Sequence, residues 1–373
     1  MNPFRYANIV KGEHFYDRDE ELLRLMQTLE GGNNIVLYAP RRYGKTSLVM
    51  RAFRQLERMG FTCIYFDFMA VYSRESFIKS FSKSVLEKQT NVKQGLATFS
   101  KFVKGIKPLL SFDINGKPEF SIEFTKPSTS DKTLDSIIDL PDKLSSVKKR
   151  YIIAMDEFQD ISKLNGENFE DLLRSKIQHH EFVNYLFLGS RKHILNDMFT
   201  SENRPFYNSA DVMHLGPLPK QETIKFLVDR FSRTNISIDH ETAAVLIEKA
   251  GDIPYYIQFL ASEVWQESVN SGKTISKDII DMCAGKILDR KNDFYFELFD
   301  RQTAYQKKLL KALAISGKSV LSNEYSLRFR LSATSTTQKA LAGLVKNGII
   351  EKHGKIYNFT DPFFKWSVLR LPA

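Results

Sequence analysis

NNIVLYAPRRYGKTSLVM, residues 33–50, joins a run of strand formers to a run of helix formers through a short turn of small and basic residues. Ile35, Val36, Leu37 and Tyr38 favour a strand, Ala39-Pro40 ends it, and Gly44-Lys45-Thr46 leads into a helix that runs to about residue 58. A loop so placed aims backbone N–H groups and a helix dipole at one spot, which makes an anion site. Lys45 adds a full positive charge suited to β- and γ-phosphates, and the Thr46 hydroxyl suits Mg2+. The spacing is that of G-x-x-x-x-G-K-[ST] in all but its first position, where Ala39 stands in place of glycine. Alanine keeps the small volume but loses easy access to positive φ, so the pattern requires an ordinary backbone conformation there. The candidate phosphate-binding residues are Ala39, Pro40, Arg41, Arg42, Tyr43, Gly44, Lys45, Thr46 and Ser47. Arg41 and Arg42 suit phosphate, a neighbouring subunit or simple solvation.

A second run, YIIAMDEFQDI (151–161), reads as a buried strand with Asp156-Glu157 emerging at its C-terminal end. That edge is where ligands sit in open parallel sheets. Asp156 is the candidate Mg2+ residue beside Thr46. Glu157 is the candidate base that polarises the attacking water, a role Asp156 cannot also fill while it holds the metal. The alternative is a helix N-cap with acidic first-turn residues. Asp160 reads as a surface residue. A third run, YLFLGS (185–190), ends at Ser190, positioned to bond a γ-phosphate or the attacking water, or else to make a plain strand-end turn. Catalytic candidates are therefore Lys45, Glu157 and Ser190.

Strands at 35–38, 62–69, 151–155 and 185–190 alternate with helices near 17–30, 45–58, 73–90, 131–147 and 166–180. This predicts an α/β fold with a parallel sheet covered on both faces. SFDINGKPEFSIEF (111–124) alternates around Asn115-Gly116, a hairpin signal, within a segment read as an insertion over about 91–130. Residues 74–107 are basic, with 8 Lys/Arg against 2 Asp/Glu. After residue 215 helices replace strands, at 219–233, 239–250, 254–270 and 276–290. The reading divides the chain into a core over 1–215, a helical lid over 216–295 and a winged helix-turn-helix over 296–373. In that last part a helix over 334–346 carries Ser335, Thr336, Gln338 and Lys339, and a hairpin turns at His353-Gly354 with Lys352 and Lys355 as its wing.

The 373 residues carry a formal net charge of +10. All of it lies in residues 301–373, with 13 Lys/Arg against 3 Asp/Glu, while residues 1–300 carry 41 of each sign. Such a patch suits double-stranded DNA, an acidic protein partner or plain solvation. Cys63 and Cys283 stand far apart, which excludes a disulfide scaffold and a zinc ribbon. No apolar run approaches a membrane span and the start has no signal-peptide core, so a cytoplasmic protein without membrane contact is expected. There is no second phosphate-acceptor pocket pattern for a small-molecule kinase and no nuclease carboxylate set in the tail.

These elements in this order resemble the archaeal-type P-loop ATPases, of the STAND class of AAA+-related signalling ATPases. FYDRDEELLRLMQTLE resembles the family's N-terminal stretch, YAPRRYGKTSL its phosphate loop, IIAMDEFQ and YLFLGS its second and third motifs, and GDIPYYIQFLA (251–261) its lid motif. The resemblance implies ATP and Mg2+ as ligands and places Phe15, Tyr16 and Arg18 near the base, with Gly251 and Pro254 in the lid turn. It departs at Ala39 and at Ser209, where relatives often carry an arginine. If that arginine acts as a finger, this chain must use another, such as Arg204 or Arg191. The leading expectation is a Mg2+-dependent ATPase used as a switch, with ATP held between core and lid. The others are an ATP-gated DNA-binding regulator or mobile-element accessory factor, and a non-hydrolysing nucleotide-bound scaffold. Self-association remains open, and so does docking of the winged helix on the core through Phe363, Phe364 and Trp366.

Overall fold

The structure is a computed structural model and describes residues 1–6, 15–89, 91–116, 118–125, 131–164, 167–271 and 274–371. Lys117 in the expected hairpin and residues 126–130 of the expected insertion lie outside the described residues. The chain divides into two compact units, Arg18–Gly216 and Met1–Asp17 together with Pro217–Ala373.

The Arg18–Gly216 unit is built on strands β1 (Ile35–Tyr38), β2 (Thr62–Asp67), β3 (Ile106–Phe112), β4 (Pro118–Phe124), β5 (Tyr151–Asp156), β6 (Val183–Gly189) and β7 (Asp211–His214). Five of them form one sheet in the order β2-β5-β6-β1-β7, every neighbouring pair parallel. The sequence of β5 and β6 explains their place. β5 is apolar up to Asp156, β6 is apolar but for Asn184, and both are buried along their whole length, as strands covered on two faces must be. Helices α1 (Asp19–Glu30), α2 (Lys45–Arg58), α3 (Arg74–Leu86), α4 (Val92–Phe102), α5 (Asp131–Ile138), α6 (Leu140–Leu144), α7 (Glu167–Ile177) and α8 (Lys192–Thr200) connect or flank the strands. Phe66, Phe68, Phe77 and Phe81 form one aromatic cluster, and Phe158, Phe187, Phe199 and Phe206 form another.

The order has a functional consequence. From β1 the chain crosses to β2 at the sheet edge, works back through β5 and β6, and enters β7 on the other side of β1. The crevice at such a reversal is where parallel sheets hold ligands. Register makes the strand ends level: Tyr38 pairs with Gly189 and Asp67 with Asp156.

Three expectations need correction. The single helix expected over 131–147 is two, α5 and α6, because Pro141 opens the second and lacks the N–H that a continuing helix would bond. β7 was not foreseen; its four residues alternate weakly in burial and lie at the edge beside β1. Asp160 is buried and paired with Lys163 at 2.6 Å, because it lies in a 3-10 turn, Phe158–Lys163, folded back onto the core.

β3 and β4 make the expected antiparallel hairpin, separate from the main sheet. Ile106, Pro108, Leu110 and Phe112 face Phe124, Ile122, Phe120 and Pro118 across the ladder. α3 packs against β4 and covers the base of this face, while Phe112 stays 65% exposed.

The second unit holds α9 (Lys220–Ser232), α10 (His240–Lys249), α11 (Pro254–Ser271), α12 (Lys277–Arg290), α13 (Asn292–Asp300), α14 (Ala304–Ile315), α15 (Asn323–Arg328) and α16 (Thr334–Lys346), then hairpin β8 (Ile350–His353) and β9 (Ile356–Phe359), and α17 (Pro362–Arg370). α16 followed by the hairpin is the recognition-helix-and-wing arrangement. α17 carries Phe363 and Phe364 into the core, against Tyr256, Phe259 and Tyr295, and the Trp366 indole donates to Lys249 O at 3.2 Å. The winged helix is thus packed on the helices that precede it. Phe4 joins the same unit, its ring against Phe226 and Phe231.

Candidate functional site

The turn after β1 answers the question raised by Ala39. Ala39 is buried and has no positive φ. Its N–H donates to Gly189 O at 3.2 Å, so it merely prolongs the parallel ladder. The left-handed backbone falls instead on Arg42, φ 73°, and Gly44, φ 86°. Glycine takes such a conformation without cost, whereas an arginine there is strained by about 1 kcal/mol. Gly44 is the N-cap of α2 and supplies no side-chain cap, so the first-turn N–H groups have no intrahelical acceptor and suit an anion. Arg41 and Arg42 are exposed, Tyr43 and Ser47 are buried, and Pro40, Gly44 and Thr46 are partly so.

Lys45, at the first position of α2, is buried, and its Nζ lies 2.5 Å from Asp156 Oδ1. Asp156 is buried at the end of β5. The same Oδ1 accepts from the Glu157 N–H at 2.9 Å, and Oδ2 accepts from the Tyr65 hydroxyl. Glu157 follows in a left-handed conformation, φ 49° and ψ 41°, an uncommon state for a non-glycine residue that turns its side chain away from that of Asp156. Its carboxylate accepts from Ser190 Oγ at 3.0 Å on Oε2 and from Gln159 Nε2. Asp67, level with Asp156, has its pKa raised, by burial first and by the charges of Asp156 and Glu157 next.

The structure thus brings Lys45 to Asp156 and Ser190 to Glu157. Sequence reading missed Gln159, 3% exposed, and Tyr65. Gly189 carried a signal for the first. A Cβ there would collide with Gln159 Oε1 and with Leu195 Cδ1, so glycine is needed for close approach rather than for its φ. Arg204, a candidate finger, is paired with buried Glu170 at 2.7 Å, and Arg191 is exposed before α8. Arg18 is buried, bonded to Glu21 at 2.6 Å and to Gly216 O at 2.5 Å. Phe15, Tyr16, Gly251 and Pro254 belong to the other unit. There the Tyr16 ring stacks on Phe226 at 3.7 Å, Gly251 turns the chain with φ 68°, and Pro254 opens α11.

Residues 15–258 match the family described as the ATPase domain predominantly from Archaea. The chain belongs to that ATPase family. Residues 293–370 match a probable winged helix domain. No curated protein matches the chain. Among solved structures the fold is similar to the Walker-type ATPase paby2304 of Pyrococcus abyssi, with a TM-score of 0.63, 21% identity and 99% and 100% of the two chains covered. It is also similar to the ORC2 protein of Aeropyrum pernix (TM-score 0.55, 13% identity, 98% and 97% covered). The ORC1 protein of the same organism, solved in complex with DNA, matches at TM-score 0.51, 13% identity and 96% and 93% covered. At these identities the likeness is one of fold.

An ATPase of this family handles a nucleotide and typically a divalent metal, and the residues fit both. Among the described residues no group of three or more His, Cys, Asp and Glu side chains could hold a metal alone. Mg2+ is commonly held by one or two protein oxygens together with substrate phosphates. Thr46 and Asp156 are donors of that kind. Among the described residues no helix is long and apolar enough to cross a membrane.

Proposed function

We propose that this ATPase-family chain is a Mg2+-dependent ATPase of the STAND class, acting in the cytoplasm as a nucleotide-controlled switch. The observation that carries the reading is the pairing of Lys45 with Asp156, and of Glu157 with Ser190, at one edge of one parallel sheet. On this reading Lys45 exchanges Asp156 for the β- and γ-phosphates of ATP, one charge-assisted partner for another. The first turn of α2 cradles the phosphates. Thr46 and Asp156 would hold Mg2+, whose charge would offset that of the phosphates. Glu157 orients the attacking water and takes its proton, kept apart from Asp156 by its backbone turn. Ser190 and Gln159 hold the Glu157 carboxylate in place.

The test is turnover and ATP affinity of the intact protein and of Glu157→Gln. Retained binding with lost turnover supports the reading; a parent protein that binds no ATP overturns it.

A second reading adds double-stranded DNA as a partner. Its support is the face of α16, where Ser335, Thr336, Gln338 and Lys339 are exposed and the first turn has no acidic residue. Lys352 and Lys355 are exposed on the wing, and a structural neighbour was solved with DNA. ATPase rate with and without duplex DNA tests it: a rate that DNA does not alter, with no DNA retained, removes DNA as a partner.

A further inference from the structure

Tyr65 lies in the middle of β2, in a register that sets it level with Ala154 and the following Asp67 level with Asp156. The face of β2 that carries Cys63, Tyr65 and Asp67 is turned toward α2, since the Cys63 thiol reaches Phe53 O. The Tyr65 hydroxyl therefore comes to the first turn of α2. There it donates to Asp156 Oδ2, with the Thr46 hydroxyl close by. Asp156 Oδ1 is already taken by Lys45 Nζ and the Glu157 N–H. The phenol thus holds one of the two residues that would bind Mg2+, Asp156 of β5, and lies close to the other, Thr46 of α2. A phenylalanine would fill the same space and leave Oδ2 without this donor.

We propose that Tyr65 is a positioning residue for the divalent cation, its hydroxyl holding the Asp156 carboxylate beside Thr46. This rests on the nucleotide-and-metal reading above. The hydroxyl acts through the Asp156 carboxylate, so its contribution appears only where metal binding is measured. Partners of this kind around metal sites are commonly worth 10- to 100-fold in metal affinity.

The experiment is calorimetric titration of the full chain and of Tyr65→Phe with a non-hydrolysable ATP analogue, in Mg2+ and in EDTA. The Phe variant should bind the metal-free analogue as the parent does. Its gain in affinity on adding Mg2+ should be smaller by about tenfold. Mn2+ titrated against the ADP-bound proteins and followed by its paramagnetic resonance should show the same loss. An unchanged or larger Mg2+ gain in the variant overturns the proposal, as does equal weakening with and without metal, which would place the phenol in service of the loop. A parent with no Mg2+ gain overturns the metal reading itself. Fluorotyrosine placed at position 65 should shift its 19F resonance when Mg2+ is added to the nucleotide-bound form, and a resonance that does not move overturns the proposal.

Discussion

Ser190 Oγ, at the end of β6, donates to Glu157 Oε2, at the end of β5, over 3.0 Å. The two residues are 33 apart in sequence and meet because β5 and β6 are register-matched neighbours. A carboxylate whose Oε2 accepts from both the Ser190 hydroxyl and the Gln159 amide is pre-aimed, and its orientation need not be established during turnover.

Ser190→Ala should therefore lower kcat while leaving ATP affinity near that of the parent. Loss of one hydrogen bond to a charged group is worth about 1.5–3 kcal/mol, on the order of 10- to 100-fold. Glu157→Gln should cost more, roughly 10²–10⁴-fold, as expected of a lost general base. Steady-state kinetics beside a binding titration checks both. If Ser190→Ala weakened binding and left kcat intact, the hydroxyl would serve the nucleotide rather than Glu157.

Lys45→Ala should weaken ATP binding by about two orders of magnitude, since it removes charged hydrogen bonds to phosphate. It also strips the buried Asp156 of its cation. Unchanged affinity in a calorimetric titration would remove the phosphate-loop assignment.

Gly189→Ala should act at a distance from the nucleotide. The added methyl meets Gln159 Oε1 and Leu195, and overpacking of this kind costs about 1–3 kcal/mol. If the Gln159 side chain is displaced, Glu157 loses a donor, so turnover should fall together with Tm. A variant with parental Tm and parental kcat would mean that the strand end accommodates the methyl freely.

Asp139 supplies a pH-dependent term far from the nucleotide. Burial tends to raise its pKa, but His180 and Lys176 outweigh burial and lower it below the usual 3.8. Its folded pKa is therefore depressed, so its contribution is full above about pH 4 and disappears as pH falls through the folded value. Asp139→Asn should lose less than about 1 kcal/mol at neutral pH, because the group is partly exposed and screened. The difference from the parent should vanish in strong acid. Denaturant midpoints across that range provide the check; a gap that persists in acid would assign the effect to packing.

If the basic tail meets duplex DNA, retention should fall steeply with salt, about 0.9 counterion being released per phosphate neutralised. Reversing Lys352 and Lys355 to Glu should weaken binding to every sequence, while changes at Gln338 or Lys339 should alter preference among sequences. Background retention at low salt, with and without ATP, would leave the winged helix as a packed structural element. Phe363 and Phe364 already serve that end by joining it to Tyr256 and Tyr295.

The sequence by itself determined the elements whose signal is local. β1, β5 and β6 announce themselves as mostly apolar runs without alternation, because a strand covered on both faces has no polar alternation to show. The Gly44-Lys45-Thr46 turn, the acidic pair at 156–157 and the helix and wing near the C-terminus are likewise written in short windows. Only the tertiary structure decided which side chains meet. Tyr65 reads as one more aromatic in a strand until the β2–β5 register brings it, from 91 residues away, to Asp156. Gln159 reads as a polar residue after a motif until the 3-10 turn folds its amide over Gly189. Asp160 reads as surface for the same reason, and β7 is too short and too weakly alternating to be seen without β1 beside it. Periodicity reports how much of a segment is covered, but strand register and backbone turns determine what covers it, and those are properties of the folded sheet.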